Sequence, residues 1–164
     1  YEGYASGGTA IILETLTDNR NRTVSEIRST LTKAGGNLAE TGAVAWQFEQ
    51  KGVIVVDATP DEAEKLALVA IDAGADDFET YDSALYVYSH PQGLEGLRIT
   101  MSEHDATIRS SEMSMVPKNT VSLDTGAALQ TLRLLDRLED LDDVQKVYSN
   151  ADFPDEALER YRSE

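Results

Sequence analysis

The sequence contains no cysteine, which excludes disulfides, thiolate metal ligands and a thiol nucleophile. It has one tryptophan and four prolines, and no apolar run long enough for a membrane-spanning helix. Residues 1–20 lack the basic start and following apolar stretch that mark a signal peptide. Basic residues are scarce too. Lys+Arg number 14 against 30 Asp+Glu, for a formal net charge of -16 and a pI near 4.4. Nucleic-acid binders gain affinity by neutralising phosphates and releasing counterions, so a chain this acidic repels a polyanion over most of its surface. A solubilised surface accounts for the charge without further function. Under a functional reading, nucleic-acid contact is confined to a small local patch or to another part of a longer chain. Tyr1 is not an initiator residue, and the expectation is that the sequence starts inside such a chain. A reducing cytoplasm is the expected compartment.

What is present suffices for one medium domain or two small ones: 164 residues, 41% of them hydrophobic. Residues 9–16 (Thr-Ala-Ile-Ile-Leu-Glu-Thr-Leu) form a short apolar run after Gly7-Gly8 and predict a buried strand. Thr23 and Glu26 form a capping box for a helix with Val24, Ile27 and Leu31 inward, ended by Gly35-Gly36. Val44, Trp46 and Phe48 alternate with Ala45 and Gln47, which predicts a half-buried strand. From Val53 the syntax recurs. A strand (53–56) leads through Thr59-Pro60-Asp61-Glu62 into a helix burying Ala63, Leu66, Ala67 and Ala70. A short strand at Phe78, a turn at Asp82-Ser83, a strand at 85–88, a helix burying Leu94, Leu97 and Met101, and a strand closing near Pro117 follow. The tail supplies a strand at 120–123, a helix capped near Asp124 burying Leu129, Leu132, Leu135 and Leu138, and a strand at 144–148.

This order predicts an α+β protein of two ferredoxin-like βαββαβ domains, one inserted in the other. Residues 1–51 plus 118–164 form the discontinuous outer domain, and residues 52–117 the inserted one.

These residues resemble the YebC/PmpR family, which includes the mitochondrial translational activator of cytochrome c oxidase. The resemblance spans nearly the whole chain. It is carried by Tyr1-Glu2-Gly3-Tyr4 with Gly7-Gly8, by Thr17 to Thr23, and by Gly35 to Leu38 with Gly42 to Phe48. The segments Lys51-Gly52-Val53-Ile54, Met115 to Val121 and Asp142 to Tyr148 complete it. Ala5-Ser6 stands where the family pattern expects Gly-Pro, a local departure at a turn. The resemblance implies three domains: a helical, lysine-rich N-terminal domain, absent here, then two α/β domains, one nested within the other. It further implies a DNA-binding transcriptional regulator or a ribosome-associated translation factor.

The best candidate contact is the segment Asn19, Arg20, Asn21 and Arg22, read as a loop leading into a helix. Arginine grips phosphate bidentately, and free N–H groups at a helix start favour an anion. Arg28 and Lys33 extend the patch along the helix. The competing reading has the asparagines shaping a turn and the arginines pairing with nearby acids. Lys118 lies in Met115-Val116-Pro117-Lys118-Asn119, an expected interdomain hinge, from which it could reach a phosphate. Trp46 and Phe48 read as core, Tyr148 is open to a stacking reading, and Tyr86 and Tyr88 face either solvent or the other domain. The acid run Glu139-Asp140, Asp142-Asp143 lacks calcium-loop spacing and reads as a solvated connection. His90 and His104 are isolated, and no Walker or dinucleotide fingerprint occurs. No cofactor, metal, catalytic centre or membrane association is expected.

Three functions follow: a translation factor binding ribosome or RNA, a DNA-binding transcriptional regulator, and an effector-sensing or protein-interaction module. The first leads, with contact shared between the local arginine patch and the absent N-terminal domain.

Overall fold

A computed structural model describes residues 1–164. The elements begin with β1 (Glu2–Tyr4), β2 (Ala10–Thr15), α1 (Arg20–Lys33) and β3 (Asn37–Ala39). Next come β4 (Phe48–Asp57), α2 (Pro60–Asp72), β5 (Asp77–Tyr81), β6 (Ala84–Ser89), α3 (Leu94–Glu103) and β7 (Thr107–Pro117). The chain then forms β8 (Val121–Ser122), α4 (Thr125–Glu139), β9 (Val144–Ser149), β10 (Ala151–Asp152) and α5 (Asp155–Arg162). Two compact units result: unit 1 is Tyr1–Glu49 with Val116–Glu164, and unit 2 is Gln50–Met115. No helix is long and apolar enough to cross a membrane.

Unit 2 has the ferredoxin-like strand order β5-β6-β4-β7. β6 runs antiparallel to both β4 and β5. Alternation decides which side chains go inward: Ile54, Val56, Leu85 and Val87 meet Ala63, Ala67 and Ala70 of α2 and Leu97 and Met101 of α3. The helix α2 starts as its sequence dictates. The Thr59 hydroxyl accepts from the Glu62 N–H at 3.3 Å, and Pro60 fills the first turn, where no donor is needed. Its inward alanines let helix and sheet approach closely. Gly52 is required by the close approach of the start of α3, since a Cβ there would lie 2.8 Å from Leu94 Cβ and 2.7 Å from Ser89 Oγ.

In unit 1 the sheet order is β3-β1-β2-β9, with α1 and α4 contributing to a core of Ile11, Leu13, Ile27, Leu31, Leu134, Leu138 and Val144. The α+β class holds, but several elements differ from expectation. The strand β1 replaces the segment 120–123 beside β2, pairing Gly3 with Ile11 on one side and with Leu38 on the other. Only Val121–Ser122 of that segment is extended, parallel to β10 in a separate two-stranded sheet. The expected strand at 44–48 is a single 3-10 turn over Ala45–Gln47 leading into β4. Val44 and Phe48 are buried, but Trp46 is 68% exposed. Apolar residues at positions i and i+4 suit one turn of helix as well as they suit alternate places on a strand, and here the turn prevails.

The cap of α1 also moves, from Thr23 to Asn19, so Arg20, Asn21 and Arg22 stand in the first helical turn rather than in a loop. In α4 the inward leucines are Leu129, Leu134 and Leu138, with Leu132 and Leu135 half-buried. The terminal α5 was not expected. It packs on α4 through Ala157 against Ala128 and Leu129.

Gly52→Ala is expected to destabilise the protein by about 1–3 kcal/mol through overpacking, seen as a lower urea midpoint. An unchanged midpoint would show that Leu94 yields at no cost.

Candidate nucleic-acid interface

The turn from β2 into α1 is built from short polar side chains. Thr17 Oγ1 accepts from the Asn19 N–H at 2.9 Å, and Asn19 Oδ1 accepts from the Arg22 N–H at 3.1 Å. These bonds satisfy donors that a helix start leaves orphaned. Arg22 then turns toward Asp143, 121 positions away, donating from Nε at 3.1 Å and from Nη2 at 2.8 Å. Asp18 accepts a further bond from Nη2 at 3.1 Å, and the Thr23 hydroxyl donates to Asp143 at 2.6 Å. Asp143 is buried, with 6% exposure. The Arg22 guanidinium and then the Thr23 hydroxyl hold its carboxyl below the ordinary aspartate range, against the desolvation that would raise it. Arg22 in turn is held above its ordinary value, chiefly by that bond. The expectation of a solvated connection at 139–143 therefore fails at Asp143, and the pairing reading of the arginines holds for Arg22.

Arg20 differs. It makes no ion pair and lines a cavity of about 510 Å³ with Tyr1, Glu2, Thr15, Leu16, Thr17 and Thr41. Leu16 is 74% exposed beside it. The other expected members of the patch do not join Arg20. At about 100° per residue, Arg28 lies about 80° and Lys33 about 220° round the helix axis from it. Both are exposed and make no ion pair. Asn19 is spent as the cap, and Asn21 is exposed on the first turn.

A second feature has no counterpart in the sequence pattern. The buried Glu2 carboxylate accepts N–H bonds from Gly42 at 2.6 Å, Val44 at 2.9 Å and Ala45 at 2.7 Å. Burial pushes its carboxyl up, but the three N–H groups more than offset this, leaving it below the ordinary glutamate range. The loop from Glu40 to Gln47 is thereby anchored at its centre. Trp46 stands on it with Nε1 bonded to Ala43 O at 2.9 Å, so the ring edge is fixed while the side chain stays exposed. The Lys118 N–H donates to Gln47 O at 2.8 Å, which brings Lys118 within one residue of the tryptophan. Its ammonium group makes no ion pair, and no bond involves that group. The alternation at 44–48 gave the wrong signal for Trp46. Only its occurrence within a loop bracketed by Gly42 and an acid partner could have corrected it.

A family profile described as the TACO1/YebC second and third domain matches residues 1–151. A protein named "Probable transcriptional regulatory protein" from Dehalococcoides mccartyi is 49% identical over 99% of the chain. Relatives with the same name from Halothermothrix orenii and Chloroflexus aggregans are 45% and 48% identical over 100% and 99% of it. The chain spans 65% of the length of the first of these relatives. The crystal structure of a conserved hypothetical protein from Aquifex aeolicus superposes with a TM-score of 0.89 at 40% identity, covering 96% of this chain and 65% of that one.

Two expectations follow from the buried carboxylates. Because Asp143 is depressed on folding, its contribution to stability is complete above the ordinary aspartate value and is lost as pH falls through the lowered one. Thermal unfolding between pH 6 and pH 3 should show Asp143→Asn with a lower Tm at pH 6 and a shallower fall with acid than the parent. Equal slopes would exclude the linkage. Glu2→Ala strands the buried Val44 N–H and is expected to cost about 1–3 kcal/mol, with Trp46 fluorescence reporting a loosened loop.

Proposed function

The chain belongs to the TACO1/YebC family, and on that premise we propose that it is a non-enzymatic gene-expression regulator, acting as an RNA- or ribosome-associated translation factor. The observation that carries this reading is the distribution of cations. α1 holds four basic residues against one acid, Glu26, and it alone among the helices has a surplus of positive charge. Arg22 is consumed by Asp143, but Arg20, Arg28 and Lys33 remain unpaired. In a chain of net charge -16, such a local surplus is where a polyanion meets least repulsion. The exposed Trp46 with Lys118 adds what single-stranded RNA uses, a flat ring for a base and a cation for the backbone. The anchored loop joins the two features, with Thr41 at the Arg20 cavity and Trp46 near its far end.

A second reading, a DNA-binding transcriptional regulator, is favoured by the names of the relatives. The arrangement of α1 argues against it. A recognition helix presents several base-reading side chains on one face to the major groove, whereas α1 has no more than two unpaired cations, Arg20 and Arg28 about 80° apart, on any one side.

Cytoplasmic residence accords with the proposal. The test is co-sedimentation with ribosomes, beside binding to duplex DNA at physiological salt. Arg20→Glu combined with Trp46→Ala should weaken ribosome association about tenfold, since the stacking of one base is worth about 1–3 kcal/mol, and leave Tm unchanged. Arg22→Glu is unsuited to this purpose, because it would set a second carboxylate against Asp143. Undiminished co-sedimentation of the double variant, or tighter binding to duplex DNA than to ribosomes, overturns the proposal.

A further inference from the structure

We propose that α4 and α5 form a second phosphate-binding groove, in which Arg133, Arg137 and Arg162 grip the backbone of single-stranded RNA. The inference rests on the RNA-directed reading above and adds to it a binding surface made by α4 and α5 rather than by α1. Arg133 and Arg137 are four residues apart on α4 and share one side of it. Arg162 ends α5, which is fastened to α4 by Ala157 against Ala128 and Leu129, with Phe153 and Tyr161 packed alongside. The three guanidinium groups converge on a cavity of about 560 Å³, lined also by Asp136, Tyr161 and Glu164.

One of the three already holds an oxyanion. Arg133 donates from Nε to one oxygen of the Glu164 carboxylate at 3.3 Å and from Nη2 to the other. A guanidinium forked onto two carboxylate oxygens has the geometry it would use on two phosphate oxygens. Arg137 and Arg162 make no ion pair, although two carboxylates line the same cavity. Cations near a helix C-terminus are often explained by the helix dipole. That account covers Arg137 and Arg162, each in a last turn. It does not cover Arg133, which sits two turns before the end, and it does not require convergence. Three cations face two acids here on an otherwise acidic chain, and the Tyr161 ring lines the same cavity.

The groove is tested by fluorescence anisotropy with a short labelled oligouridine, titrated at several salt concentrations. Arg137→Glu with Arg162→Glu should weaken binding at least tenfold. It should also flatten the salt dependence by about 1.4 in log–log slope, roughly 0.7 for each phosphate no longer neutralised. Arg137→Gln with Arg162→Gln should show a smaller loss in the same direction, which guards against failure of α5 to fold; circular dichroism checks both. Glu164→Gln removes the competing carboxylate from Arg133 and should tighten binding several-fold, a gain that a purely structural role would not produce. Wild-type affinity in both double variants overturns the groove, as does any loss of affinity in Glu164→Gln. If those double variants bind normally while Arg20→Glu does not, the groove falls and the α1 reading stands. Loss in the double variants alone supports the groove and removes α1 instead. Displacement of the oligouridine by equimolar inorganic phosphate, or preference for duplex DNA, overturns the assignment to an RNA backbone. Absence of any RNA affinity in the unsubstituted chain overturns both.

Discussion

One buried carboxylate joins the two separated stretches of unit 1. Asp143 stands just before β9, which must return from the distant flank of the chain to pair with β2. Its side chain receives Arg22 and Thr23 from the start of α1, and its carbonyl receives the Leu16 N–H at 2.9 Å from the end of β2. Three elements thus meet at one residue. A buried charge left unpaired is strongly destabilising, whereas one fully hydrogen-bonded specifies how its neighbours must sit. The arrangement also sorts the arginines of α1. Positive side chains in a first helical turn oppose the helix dipole. For Arg22 that opposition is offset by Asp18 and Asp143, while Arg20, which makes no ion pair, keeps an unsatisfied preference for an anion.

The same chemistry recurs at the other end of the site. Glu2 lies on β1, and its carboxylate gathers three N–H groups of the loop that carries Trp46. A loop tied at three points loses little further freedom when a ligand binds, which lowers the entropic cost of association. This explains how a large indole can be left 68% exposed without the loop collapsing to cover it. The anchor pulls Val44 inward, and Val44 and Phe48 fill the adjoining core in place of the ring.

Much of this was legible from residue order, and the failures share a cause. Where periodicity was long, as in α2 with its Thr59 cap and inward alanines, element and buried face emerged together. Unit 2, made of such stretches, followed expectation strand by strand. The short strand β1 did not, because Glu2-Gly3-Tyr4 has no pattern to read and pairs only because β2 and β3 flank it. Residues 44–48 misled because five positions cannot separate a period of two from one helical turn. The cap at Asn19 lost to Thr23 because the capping box at Thr23 fits the pattern, yet the Thr23 hydroxyl is committed to Asp143. That partner lies 120 residues away, beyond any local rule. Arg20 and Lys118 were identifiable as candidates from type and position. Which arginine stays free could be seen only once Asp143 had chosen Arg22.

The charge balance of the two units then acquires a direction. Unit 2 has thirteen acidic residues and four basic ones, and three of those four, Lys51, Arg98 and Arg109, are paired with Asp76, Glu95 and Asp57. Only Lys65 remains without an acid partner. Unit 1 has seventeen acidic and ten basic residues, and seven of its cations make no ion pair: Arg20, Arg28, Lys33, Lys118, Arg137, Arg160 and Arg162. With seventeen acids to ten bases in unit 1, carboxylates outnumber cations, but pairing costs side-chain entropy that exposed pairs barely repay. Arg20, Arg137 and Arg162 stay unpaired even though Glu2 lines the cavity of the first, and Asp136 and Glu164 that of the other two. Seven of the eight unpaired cations lie in unit 1, so close-range attraction by local cations is available to an anionic partner chiefly there, while unit 2 offers Lys65 alone. Salt should therefore weaken an anionic partner's hold on the cation-bearing surfaces proposed for unit 1, whereas unit 2, with thirteen acids to four bases, offers a negative field that salt screens in turn.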